Sequence, residues 1–200
     1  MAKIGKDVIG KQVKLRKKKR LPLISFRKVN ANMISSLNKV RIKYFFTGAF
    51  AVNYYGRPRT SMDVDVMVER NKEKLNKLVE ALKRKGFDVI KRDVDIAFKE
   101  SSHFSVFSKD SPYYFDFKIV PETERHVFER IKSVVIYNKR TFLSSPEDLI
   151  INKLVFGSVE DIKDVKSIIN RRREKLDYDY LFELAKVKGV TSKLEELLKE

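Results

Sequence analysis

Two hundred residues, 42% of them hydrophobic, can bury a core in one domain, and no apolar run approaches the length needed to cross a bilayer. The chain has no cysteine, which excludes disulfides and thiolate metal sites and fits a cytoplasmic protein without a signal-peptide apolar region. Its formal charge of +17 is uneven: residues 1–28 hold eleven Lys or Arg against one Asp, supplying +10, and the rest supplies +7. The run from Lys11 to Arg20 suits phosphate neutralisation and counterion release, which favours nucleic acid; a solvated arm that aids solubility is the plainer reading. Abundant Lys and Glu with a single Gln match the composition of a thermophile.

In chain order, Val29–Asn38 has helical spacing that carries Met33, Ile34 and Leu37 to a core, and Val40–Phe46 reads as a short apolar strand. Gly48–Tyr55 reads as a helix with Ala51 and Tyr55 on one face, Gly56-Arg57-Pro58-Arg59 as a turn, and Ser61–Val68 as a strand. Asn71–Lys85 is an amphipathic helix with Leu75, Leu78, Val79 and Leu82 inward, ended by Gly86. Phe87–Ile90, His103–Phe107 and Tyr113–Val120 read as strands, Glu122–Arg130 as a helix, and Ser133–Phe142 as a hairpin turning near Asn138. From Pro146 onward the pattern is helical, over Pro146–Phe156, Val159–Asn170, Tyr178–Lys186 and Ser192–Lys199. The division this predicts is a basic arm over 1–28, an α+β domain over 29–143 and a helical region over 144–200.

Asp-x-Asp occurs three times, and with 13 aspartates in the chain about one such pair arises by chance. Asp177/Asp179 precedes a helical pattern and reads as a cap. Asp93/Asp95 looks like part of a strand, with no glycine–helix unit before it. Asp63/Asp65 alone follows one, opened by Thr47-Gly48, and alternation puts both carboxylates on one strand face with Val64, Val66 and Val68 on the other. Two adjacent carboxylates repel unless a cation sits between them, which suggests magnesium and a nucleotide phosphate. In Phe115-Asp116-Phe117-Lys118-Ile119 the same alternation presents Asp116 as a third carboxylate, although an exposed edge-strand aspartate would look alike. His103 and His126 lack zinc-ligand spacing, and the tyrosine pairs Tyr54/Tyr55 and Tyr113/Tyr114 suit either base stacking or packing.

Thr47-Gly48-Ala49 opening a helix, with Asp63-Val64-Asp65 on the next strand, resembles the signature of the polymerase-β-like nucleotidyltransferase superfamily. The stretch Ser145–Leu154 with Asp161–Val165 is similar to the AbiEii-type branch, which includes toxins of toxin–antitoxin systems. The resemblance implies a mixed β-sheet flanked by helices and nucleotidyl transfer from a nucleoside triphosphate with two magnesium ions. It implies Asp63, Asp65 and Asp116 as metal ligands and catalytic carboxylates, with Asp116 helping to deprotonate the acceptor hydroxyl. Thr47 and Gly48 would let phosphate approach the helix amino terminus, Lys153 would contact phosphate, and Asp161 matches an acidic position near it. Arg57 and Arg59 suit either a phosphate clamp or pairing with carboxylates. Ala49 departs from the serine of the superfamily pattern, and Glu160 stands where an arginine is often found. The implied acceptor is an RNA, tRNA-like, or a protein hydroxyl, with a cognate antitoxin as possible partner. The rival readings are a module that keeps the fold and binds nucleic acid or a partner without turnover, and a nucleotide hydrolase.

Overall fold

In the computed structural model, which describes residues 25–199, Ser25 opens the first helix by accepting a hydrogen bond on Oγ from the Lys28 amide. The basic run Lys11–Arg20 lies outside the described residues, and the first helix begins at Phe26, inside the expected arm. Helix α1 (Phe26–Val40) buries Val29, Met33, Ile34 and Leu37 and ends at Arg41, whose φ of 53° turns the chain out of the helix. That left-handed cap takes the start of the expected strand, so β1 covers only Tyr44–Phe46. Helix α2 (Gly48–Tyr55) and strand β2 (Asp63–Glu69) follow at the expected places. Helix α3 (Lys72–Arg84), capped by the Asn71 side chain, puts Leu75, Leu78, Val79 and Leu82 into the core.

Strand β3 is only Phe87–Asp88, because Ile90 begins helix α4 (Lys91–Glu100). Asp93-Val-Asp-Ile therefore lies on a helix, not the strand read from its alternation. Val94 and Ala97, three residues apart, are both buried, and that spacing fits a helix rather than a strand. Strands β4 (His103–Ser108) and β5 (Tyr114–Val120) come next, then a 3₁₀ turn over Glu122–Phe128 in place of the expected longer helix. Strands β6 (Lys132–Ile136) and β7 (Lys139–Leu143) form the hairpin, and Tyr137 and Asn138 both take positive φ, as a primed two-residue turn requires. Helices α5 (Pro146–Phe156), α6 (Val159–Arg172), α7 (Tyr178–Val187) and α8 (Thr191–Lys199) complete the described chain.

The seven strands form one mixed sheet in the order β3-β4-β5-β2-β1-β7-β6. β2 is parallel to β5 and antiparallel to β1, while β1 is parallel to β7. Val64, Val66 and Val68 share an apolar cluster with Phe115, Phe117, Met33, Leu37 and Leu82, and Leu149, Ile150, Leu154 and Leu181 of the later helices belong to the same cluster. Burying each such side chain contributes about 1.5–3 kcal/mol, so this cluster fixes the register of β2. A one-residue slip would carry the valines to the surface and the aspartates into the core. Among the described residues no helix is long and apolar enough to cross a membrane.

Candidate active site

Three rows of side chains cross one face of β2, β5 and β4. Asp63 is in register with Tyr114 and Tyr114 with Phe107; Asp65 with Asp116 and Asp116 with Ser105; Met67 with Lys118 and Lys118 with His103. These positions alternate with buried Val64, Val66, Phe115, Phe117, Phe104 and Val106, so all nine share the face away from that core. The fold thus brings Asp63, Asp65 and Asp116 together on one face of neighbouring strands.

Each carboxylate has its own surroundings. Asp63 accepts a hydrogen bond from Ser61 Oγ, and Asp116 Oδ1 accepts one from Ser105 Oγ at 2.6 Å. Burial, then the charges of Asp63 and Asp116, push the Asp65 carboxyl above its ordinary range. The Tyr114 phenol is pushed up chiefly by the charge of Asp63. The face is short of positive charge at its centre.

Asp65 also abuts the start of α2. Gly48 has a φ of +55°, and a Cβ there would lie 1.9 Å from Asp65 Oδ2, so any side chain would displace the carboxylate. Thr47 makes no side-chain capping bond to the helix; its Oγ1 instead accepts from Ser144 Oγ at 3.4 Å. The first turn of α2 therefore opens, without a side-chain cap, onto a cavity of about 840 Å³. That cavity takes in Gly48, Arg59, the three carboxylates, His103 and Lys118, and is also lined by Leu149, Asn152, Lys153 and Phe156 of α5.

Beside the cavity lies a second charged cluster, and it is balanced. Asp164 is fully buried, and three cations converge on it: Arg57 Nε donates to Oδ1 at 3.0 Å, Lys153 Nζ lies 2.9 Å from Oδ2, and Arg59 Nε lies 3.4 Å from Oδ2. The Oδ2 contacts are ionic, lying off hydrogen-bond direction. Lys153 Nζ also donates to Asp161 Oδ1 at 2.8 Å, and Arg57 pairs with Glu160. Burial alone would raise Asp161, but hydrogen bonds from Lys153 and Ser158 outweigh it and hold the carboxyl below its ordinary range. Glu160 is held low by Arg57, chiefly through their hydrogen bond.

Lys153, Arg59 and Asp161 thus line the cavity, each already engaged, whereas Arg57 turns to α6. The rival Asp95 on α4 is ion-paired with Lys72 of α3 and Lys91 of α4, and Asp177 caps α7 by accepting from the Tyr180 amide. Sequence reasoning missed Asp164 as the hub of the cluster and Ser105 as a neighbour of Asp116. Alternation alone puts Lys118 on the face of Asp116, two residues along the same strand, but only the pairing register reveals that Ser105 flanks the carboxylate. As for a metal, the three carboxylates on the face offer oxygen donors with excess negative charge, which fits a hard divalent cation. Among the described residues no three acidic or histidine side chains are already gathered around one point that could hold it.

No protein-family model matches the sequence, and no curated protein matches it. Among solved structures it is similar to ANT(2'')-Ia in complex with adenylyl-2''-tobramycin, with a TM-score of 0.56 and 12% identity over 80% of this chain and 95% of that one. The solution structure of the same antibiotic-resistance factor gives a TM-score of 0.54 at 14% identity, covering 84% of this chain and 94% of that one. An antigenic nucleotidyltransferase-like protein from Paracoccidioides brasiliensis gives 0.53 at 17% identity, covering 90% and 95%. The fold is a nucleotidyltransferase fold. The mixed sheet with flanking helices and following helical segment agrees with the α+β expectation.

Proposed function

We propose that the protein transfers a nucleoside monophosphate from a nucleoside triphosphate to an acceptor hydroxyl. The observation that carries this reading is the close approach of Asp65 to Gly48, which sets a carboxylate against an uncapped helix start in one cavity. The backbone N–H groups of that first turn would take phosphate oxygens, favoured by the helix dipole. Thr47 would help to hold the chain there. Asp63, Asp65 and Asp116 would hold two magnesium ions, which when bound supply charge neutralisation and an acidified acceptor hydroxyl.

The chain's own residues would do the rest. Asp116, oriented by Ser105, would take the acceptor proton; the acceptor oxygen bonds to the α-phosphorus as the bond to the β-phosphate oxygen breaks, and pyrophosphate leaves. Lys153 and Arg59 would approach phosphate from the cavity wall, held in place by Asp161 and Asp164. Arg57 would brace that wall through Asp164 and Glu160. The net charge of +17 supports an RNA acceptor, tRNA-like, over a protein hydroxyl. The similarity at residues 145–165 supports the AbiEii-type branch, a toxin role in the cytoplasm and a cognate antitoxin partner.

The test is incubation with each labelled nucleoside triphosphate and magnesium, offering total RNA and the protein itself as acceptors. Label transferred by the wild type and lost in an Asp63→Ala/Asp65→Ala variant is the expected result. Absence of transfer with every nucleotide, beside RNA binding unchanged in the variant, would replace this reading with a binding module. Pyrophosphate release without a labelled acceptor would indicate a hydrolase.

A further inference from the structure

Four side chains lining the cavity are basic: Arg59, Lys153, His103 and Lys118. Arg59 and Lys153 are held by Asp164 and Asp161. Lys118 and His103 are both exposed, and neither side chain has an ion pair or hydrogen bond among the described residues. They face one another across β5 and β4. Lys118 stands two residues beyond Asp116, roughly 7 Å along the same strand face.

Two residues to the other side of Asp116, Tyr114 stacks on Phe107, with ring centroids 5.7 Å apart and planes at 29°. Phe107 is 53% exposed. The third carboxylate therefore sits between a lysine–histidine pair and an open aromatic pair, all on one sheet face. The backbone of β5 is hydrogen-bonded to β2 and β4, so recognition on that strand comes from side chains. A lysine ammonium and an imidazole N–H for a backbone phosphate, with flat rings for a base, are groups that bind single-stranded nucleic acid.

We infer that the β4–β5 face is the bed of a single-stranded RNA acceptor. Lys118 with His103 takes a backbone phosphate, and the Phe107–Tyr114 pair stacks a base, leaving a ribose hydroxyl of the strand between them at Asp116. This inference rests on the transfer reading above for the meaning of Asp116, and on the chain's charge for the choice of a polyanion.

The test measures binding of the full chain to a mixed-sequence single-stranded oligoribonucleotide with a free 3′-hydroxyl, without nucleotide, across a salt series. Phe107→Ala is expected to weaken binding about fivefold to a hundredfold, and Phe107→Trp to keep it. Lys118→Ala is expected to weaken binding and to reduce the slope of log affinity against log salt by about 0.7. Both side chains are exposed, so melting temperatures near the wild type check that the variants are folded. RNA affinity within twofold of the wild type in both alanine variants would overturn the inference, as would label transferred only to protein. A wild type that binds RNA through this face yet transfers no label keeps the bed and removes the transfer reading. Transfer to RNA with affinity insensitive to both variants does the reverse.

Discussion

Two charged regions border one cavity, and they are built on opposite terms. Around Asp164 every carboxylate meets a cation: Lys153 touches both Asp161 and Asp164, and Arg57 touches both Asp164 and Glu160. On the β2–β5 face, Asp63, Asp65 and Asp116 meet hydroxyls and one another instead. The contrast appears in the titrations, with Asp161 held below its ordinary range and Asp65 pushed above it. Balanced charge ties helices α5 and α6 to the turn after α2. Unbalanced charge costs the fold, and the proposed magnesium ions would offset that cost.

The contrast breaks first at Asp164. Asp164→Ala leaves the buried Lys153 with less compensation, and about 3–5 kcal/mol of stability is expected to be lost, read as a fall in the denaturant midpoint. Next comes Gly48→Ala, where the positive φ and the Asp65 contact together cost roughly 1–3 kcal/mol, and transfer falls at least about a hundredfold. Asp65→Asn works in the other direction. It is expected to stabilise the free protein by about 0.5–2 kcal/mol, roughly 2–4 °C of Tm per kcal/mol, while abolishing transfer.

The pH dependence sharpens this pair. Because folding raises the Asp65 pKa from its ordinary 3.8, the folded chain holds that proton more tightly, and stability falls as pH rises from about 4 through the raised value. Asp161 has the opposite sign: its stabilisation is present above its ordinary 3.8 and is lost as pH falls through the lowered value. Melting scans against pH should therefore lose the first component in Asp65→Asn and the second in Asp161→Asn. The smallest effect belongs to Lys77→Ala, which removes an exposed pair with Glu73 and is expected to leave Tm unchanged.

Much of this is legible in the chain because alternation and capping are local. Asp63, Asp65 and Asp116 can be assigned to strand faces from their neighbours alone, and the glycine before them marks the helix start. The alternation of Val94 and Ile96 makes Asp93/Asp95 look like part of a strand, whereas the tertiary contact of Ala97 selects a helix. Arg57 and Arg59 suit phosphate and carboxylate equally in the sequence, because their partner, Asp164, lies more than a hundred residues away on helix α6. The pairing of Lys118 with His103, and of Tyr114 with Phe107, depends on strand register, which hairpin residues between them do not encode in any one position.

The central claim, that the unbalanced carboxylates await a metal–nucleotide complex, is tested most directly by melting the wild type and Asp65→Asn with and without magnesium and each nucleoside triphosphate. The wild type is expected to gain stability from the pair together, about 2.7 kcal/mol at a hundredfold excess over Kd, and the gain should vanish when magnesium is chelated or Asp65 is neutralised. Equal gains in the two proteins, or no gain in the wild type with any nucleotide, would contradict it.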